Sequence, residues 1–214
     1  MRNQPSNKDR YLNDTFSFKS KTLDSITEEL KRDDKWGINI GYHEVSILGF
    51  LIKSLQVKSI LEIGTLYGFS TYGMALYLPE GGKITSLEKN IENHNRAKDL
   101  LSSCDQKNKI ELIQADASEY LDQCKEKYDL IFIDANKSGY LDYLEKSIGL
   151  ISEKGMVIGD NTFLFGHVYN EGDSNMNIKT VDVMKKFNTQ YVGNEDFLVT
   201  ILPTTEGMTL IKKK

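Results

Sequence analysis

Several features are scarce in this chain, and each scarcity removes a class of function. Only two of the 214 residues are cysteine, Cys104 and Cys124, and their spacing is not that of metal ligands. That removes a disulfide framework and fits reduced thiols in a cytosol. The three histidines, His43, His94 and His167, are scattered, so no soft-metal cluster is written here. No apolar run approaches the ~20 residues that a membrane span needs. The opening MRNQPSNKDRYLND is polar throughout, unlike a secretory signal. The expectation is a cytoplasmic protein with no membrane partner. Positive charge is not in excess either: 27 Lys and Arg stand against 31 Asp and Glu, a formal net charge of −4. This argues against a protein held to nucleic acid mainly through phosphates, and leaves a local basic patch open.

What is present is a strand–loop–helix device, KSILEIGTLYGFST, from Lys58 to Thr71. The apolar run Ile60–Ile63 leads into Gly64 and Gly68, and Phe69 to Leu78 reads as a helix. A glycine loop lets backbone approach a ligand closely. The helix start offers unpaired N–H groups to a carboxylate or phosphate. Before it, residues 1–14 read as loose. Thr22–Lys31 and His43–Leu55 have helical apolar stripes, joined by DDKWGINIGY. These helices either cap the sheet or form part of a substrate site. After it, strands are expected at 59–63, 83–88, 110–114, 128–134, 155–159, 197–202 and 208–212. Helices are expected at 91–101, 117–124, 140–148 and 179–188, with a mobile loop over 163–177. The order predicts an α/β fold: a doubly wound, Rossmann-like, seven-stranded sheet with helices on both faces and a C-terminal antiparallel hairpin. An N-terminal extension and helix over 1–35 would precede one domain over 36–214.

In such sheets ligands bind outside the carboxyl ends of the strands. The residues there are Glu62, Gly64, Glu88, Asp116, Asp134, Asp160 and Asn161. Glu88, one strand after the glycine loop, suits both hydroxyls of a ribose; alone it reads equally as a solvated glutamate. The wide Gly64–Gly68 spacing disfavours a dinucleotide turn and suits an amino-acid moiety. Ser70 and the helix start would take its carboxylate and Glu62 its amine. Asp134, Asp160 and Asn161 are oxygen donors on neighbouring strand ends, the set a hard cation such as Mg²⁺ prefers; separately each also reads as a cap or turn. Beside a dication, Lys137 would give up its proton more readily and serve as a general base.

The pieces LEIGTLYGFST, SLEKN, QADASEYL, YDLIFIDANKSGY, GDN and LPTTEGMTLIKK, in this order, resemble the cation-dependent O-methyltransferases, the group of catechol and caffeoyl-coenzyme A O-methyltransferases. The resemblance runs from about Trp36 to the C-terminus and makes 36–214 an S-adenosylmethionine-dependent methyltransferase domain. It implies S-adenosylmethionine as cofactor. Glu62, Gly64 and Ser70 would hold its methionine part, Glu88 the ribose, and Asp116 and Ala117 the adenine. Ile40 would supply a backbone contact, and Thr65, Lys89, Asp134 and Asn136 complete the candidate set. It implies Mg²⁺, or Mn²⁺ or Ca²⁺, on Asp134, Asp160 and Asn161, Lys137 as base, a catechol-like small molecule as acceptor, and a homodimer. Three positions depart from the family. Asn136 stands where plant enzymes have aspartate and catechol O-methyltransferase has tryptophan. Leu164 replaces an aromatic of the plant substrate loop. Glu206 stands where aspartate is usual.

Two rival activities remain. One is O-methylation of a hydroxylated pyrimidine in tRNA, with Lys179, Lys185, Lys186 and Lys212–Lys214 as a basic patch. The other is an NAD-dependent oxidoreductase, disfavoured by the glycine spacing and the acidic cluster. A cofactor-binding domain without turnover is the non-enzyme reading.

Overall fold

The computed structural model describes residues 6–170 and 176–214. It divides into two compact units, the first ending at Ala115 and the second beginning at Asp116.

The first unit opens with α1 (Asn7–Phe16), where the sequence suggested loose chain; residues 1–5 of that stretch lie outside the described residues. Ser6 accepts from the Asp9 N–H while the Asp9 carboxylate accepts from the Ser6 N–H, which starts the helix. Helix α2 (Lys21–Arg32) is capped by the Ser20 hydroxyl and buries Leu23, Ile26 and Leu30 completely. Each such side chain contributes roughly 1.5–3 kcal/mol. Helix α3 (Tyr42–Ser54) buries Val45, Leu48 and Ile52 and leaves Leu55, the last of its expected stripe, exposed. Then follow β1 (Ser59–Ile63), α4 (Phe69–Ala75), β2 (Lys83–Glu88), α5 (Ile91–Leu101) and β3 (Ile110–Gln114). Helix α4 is entirely buried and ends three residues before the expected Leu78. The strands run parallel in the order β3-β2-β1.

The second unit holds α6 (Ala117–Gln123), β4 (Tyr128–Ile133), α7 (Tyr140–Leu150), β5 (Ile151–Asp160), α8 (Ile178–Thr189), β6 (Phe197–Leu202) and β7 (Met208–Lys213). Past Asp129, strand β4 is apolar and buried on both faces from Leu130 to Ile133, as suits an inner parallel strand. It pairs parallel with β5, and β7 pairs antiparallel with both β5 and β6, in the order β4-β5-β7-β6. The seven strands belong to a mixed α/β sheet of the expected class, and its C-terminal hairpin is antiparallel as expected. Strand β5 starts four residues before the expected Gly155, because Ile151 already pairs with Tyr128 ahead of a register shift. Of the loop expected over 163–177, Leu164–Gly166 is a single 3-10 turn and 171–175 lie outside the described residues. No helix among the described residues is long and apolar enough to cross a membrane.

Candidate active site

In the first unit the glycine loop turns on left-handed backbone. Gly64 has φ 105°, Leu66 51° and Gly68 87°. The N–H groups of Gly64 and Thr65 both donate to the Leu87 carbonyl, at 2.9 and 3.2 Å, tying the loop to the end of β2. A Cβ at Gly68 would lie 2.6 Å from Leu101 Cδ1, so the site admits only glycine without rearrangement.

Glu62 is fully buried. A buried carboxylate is tolerated only when hydrogen bonded. Here Oε1 accepts from the Ser70 hydroxyl, and Oε2 from the hydroxyls of Thr71 and, at 2.5 Å, Ser86. Thr65 Oγ1 lies 2.6 Å from Ser86 Oγ and extends the network. The Ser70 hydrogen is therefore directed to Glu62, so the serine offers an incoming group its oxygen rather than its proton. Glu88 is half-buried and accepts the Leu66 N–H at 2.9 Å on one oxygen and the Asn90 N–H at 2.8 Å on the other. It closes the loop and the β2 end together. Lys89 is exposed, and its carbonyl accepts from Gln114. Ile40 is buried, and its carbonyl accepts from the Asn39 amide at 2.7 Å.

In the second unit Asp116 caps α6, accepting from the N–H groups of Ser118 and Glu119, and Ala117 is buried beneath it. Asn136 is exposed and caps the Lys137–Gly139 turn. Asp134 follows β4, and Asp160 ends β5 with 1% exposure. The Lys137 ammonium joins them: Nζ lies 3.5 Å from Asp134 Oδ1 and donates to the Asp160 carbonyl at 3.0 Å. It also contacts the hydroxyl of Tyr140, which reaches the carbonyls of Ile133 at 3.0 Å and Asp160 at 2.8 Å. Burial, and then the charges of Asp134 and Asp160, push the Tyr140 phenol far above its ordinary range, so it stays a neutral donor.

Asn161 is held at φ 54°, and its buried Oδ1 has no hydrogen-bond partner among the described residues. A buried amide oxygen without a donor, in a cluster that holds two carboxylates, fits a hard cation. No group of three or more His, Cys, Asp and Glu that could hold a metal occurs among the described residues, which leaves two carboxylates and one amide as the candidate set.

Sequence reasoning missed Thr71, Ser86 and Tyr140. Ser86 carried a weak signal: it is a hydroxyl on β2 between Thr85 and Leu87, fully buried in the structure. Thr71 stands within the loop motif itself. Tyr140 follows Lys137 by three residues, the spacing that brings side chains together on one helical turn.

A glycine loop followed by an acid at the end of the next strand is the arrangement with which α/β sheets bind nucleoside ligands. The family model described as O-methyltransferase matches residues 13–214. The chain is 31% identical over 200 residues to caffeoyl-CoA O-methyltransferase 2 of Populus trichocarpa, covering 86% of this chain and 79% of that protein. It is 34% identical over 80 residues to the catechol O-methyltransferase of Niastella koreensis, covering 37% of this chain and 36% of that protein. Among solved structures, the O-methyltransferase of Bacillus cereus in complex with SAH superposes with a TM-score of 0.86, at 25% identity over 98% of both chains. The chain spans between 36% and 54% of the length of the first curated relatives it matches. The chain belongs to the O-methyltransferase family and is similar to its caffeoyl-CoA and catechol members.

Proposed function

We propose that this chain moves a methyl group from S-adenosylmethionine to one hydroxyl of a catechol-like small molecule, with help from a divalent cation. The observation that supports the reading most is the second-unit cluster: the Asp134 carboxylate and the Asp160 carbonyl joined through one ammonium, followed by an Asn161 amide oxygen with no partner among the described residues. Asp134, Asp160 and Asn161 would hold Mg²⁺ or a similar ion. When bound, that ion lowers the pKa of an acceptor hydroxyl by charge. S-adenosylmethionine supplies the methyl group as a sulfonium leaving-group donor.

The chain's own residues do the rest. Lys137 is assigned to take the hydroxyl proton at Nζ. Its ammonium donates to two oxygens and pairs with Asp134, so it gives up a proton to solvent before it accepts one. Tyr140 keeps the Asp160 carbonyl in place throughout. Glu62, gripped by its hydroxyls, presents fixed negative charge to a cofactor amine, Gly64 and Thr65 let the backbone approach, and Ser70 lines the same loop. Glu88 takes the ribose, and Lys89, Ile40, Asp116, Ala117 and Asn136 are assigned to the remaining cofactor contacts. Positioning of this kind is worth effective molarities of about 10⁵–10⁸ M. The same reading carries a cytoplasmic homodimer, measurable by light scattering.

The test is labelled methyl transfer to catechol, with Mg²⁺ and with EDTA. Transfer is expected in the first and not the second. Undiminished transfer in chelator excludes the metal role, and none in either excludes the acceptor class.

A further inference from the structure

We infer that Glu206 is a positioning residue: its carboxylate latches the turn after Asn161 in a left-handed conformation and so fixes the acceptor side of the site. The inference rests on the reading above for what the turn faces, and on the structure for the latch.

Four residues in this short stretch have positive φ: Asn161 at 54°, Leu164 at 49°, Phe165 at 55° and Gly166 at 89°. Left-handed backbone is uncommon for a residue with a side chain, and more so for two bulky ones in succession. Such a conformation persists only where its surroundings over-determine it. The surroundings here come from the turn before β7. The Thr162 N–H donates to the Gly207 carbonyl at 3.0 Å and the Phe163 N–H to the Glu206 carbonyl at 2.8 Å. Gly207, at φ 77°, lets the Phe163 ring lie where a Cβ would be 2.6 Å from it. These backbone contacts hold 162 and 163. They do not reach Phe165, where the second of the two consecutive left-handed bulky residues sits.

Glu206 does. Its Oε2 accepts the Phe165 N–H at 3.2 Å, across 41 residues of sequence. Glu206 is 4% exposed and Phe165 half-buried, so the acceptor side of the latch is buried. A buried carboxylate is tolerated where it is hydrogen bonded, and the Phe165 N–H supplies one such bond. The side chain thus sets the path of the chain that leaves Asn161, and with it the wall formed by Leu164, Phe165 and Gly166. This gives a role to the position at which the sequence departs from the family by one methylene.

The test compares Glu206→Ala with Glu206→Gln, which keeps an acceptor oxygen at the same reach. Amide exchange by NMR should speed about tenfold or more at Phe165 in Glu206→Ala, while Thr162 and Phe163, bonded to backbone carbonyls, keep their protection. With catechol and Mg²⁺ the acceptor KM should rise about tenfold, with kcat and SAH affinity within about twofold of the parent. Glu206→Gln should restore both. Equal loosening at Thr162, Phe163 and Phe165, or a loosened Phe165 with an unchanged acceptor KM, overturns the inference. A parent chain that methylates no catechol sinks the functional reading and its acceptor wall, and the exchange rates then decide the latch by themselves.

Discussion

Glu62 and Asp134 are both carboxylates near the carboxyl end of an apolar strand, and their neighbourhoods are opposite in kind. Glu62 is fully buried among neutral hydroxyls from Ser70, Thr71 and Ser86. Asp134 is partly open and faces the ammonium of Lys137. Hydroxyls hold a carboxylate in place without cancelling its charge, so the first unit keeps a fixed negative centre. The second unit pairs the Asp134 carboxylate with a cation on a flexible stem that also donates to the Asp160 carbonyl, and the Asn161 amide oxygen next in sequence has no partner among the described residues. On the proposed reading, the first arrangement recognises a cofactor amine and the second exchanges one positive partner for another.

The largest effect should come from breaking the second neighbourhood while sparing the first. Asp160→Asn keeps the shape and removes the charge. Outer contacts of a metal site are worth about 10–100-fold, so loss of a ligand charge should lower kcat/KM for a catechol by at least about 100-fold. SAH affinity, measured by calorimetry, should stay within a few-fold. A variant that loses both together would show that the two neighbourhoods are not separable.

Breaking the first neighbourhood should reverse that pattern at smaller size. Glu62→Gln turns an acceptor into a partial donor among three hydroxyls. A hydrogen bond to a charged group is worth roughly 1.5–3 kcal/mol, so SAH affinity should fall by about 10–100-fold. Binding of 5′-methylthioadenosine, which has no amino-acid part, should hardly change. An equal loss for both ligands would assign Glu62 to packing alone.

Smaller again is the loop itself. Gly68→Ala adds a Cβ at φ 87°, 2.6 Å from Leu101. The left-handed cost is roughly 1–2 kcal/mol. At about 2–4 °C per kcal/mol for a chain of this size, the melting temperature should drop about 2–8 °C. An unchanged melting temperature would mean that the loop relaxes freely and does not hold its shape for the cofactor.

Much of this contrast was readable beforehand, for a physical reason. Inner parallel strands are apolar on both faces, so YDLIFID and SILEI announced themselves, and a carboxylate closing such a run has few places to go but the sheet's edge. The polar helix α1 was not readable, since of its residues only Asp9 is buried and no apolar period exists. Its one signal was the Ser6–Asp9 cap, with aspartate where glutamate or glutamine is the stronger cue. Tyr140 offered only its spacing from Lys137, and Glu206 only its departure from the family's aspartate, because their roles depend on distant carbonyls and amides: the Asp160 carbonyl for one, the Phe165 N–H for the other. Composition and spacing carry no record of such partners.

The smallest effect extends the comparison to the two thiols, one in each unit, and should leave activity untouched. Cys104 in the first unit is 5% exposed, while Cys124 in the second is half-buried and 3.8 Å from the Tyr128 hydroxyl. Burial, reinforced by the charge of Asp105, pushes the Cys104 thiol above its ordinary range, against smaller opposing help from backbone N–H groups and Lys107. A raised thiol pKa leaves less thiolate at any given pH below it, and the thiolate is the nucleophile. At pH 8 a disulfide reagent should therefore titrate Cys124 first, with Cys104 slower by about tenfold or more. Raising the pH should speed Cys104, and guanidinium should make the two rates converge. Two equally fast thiols in the native protein would mean that the turn after α5 that bears Cys104 opens readily, and that the first unit is no more closed than the second.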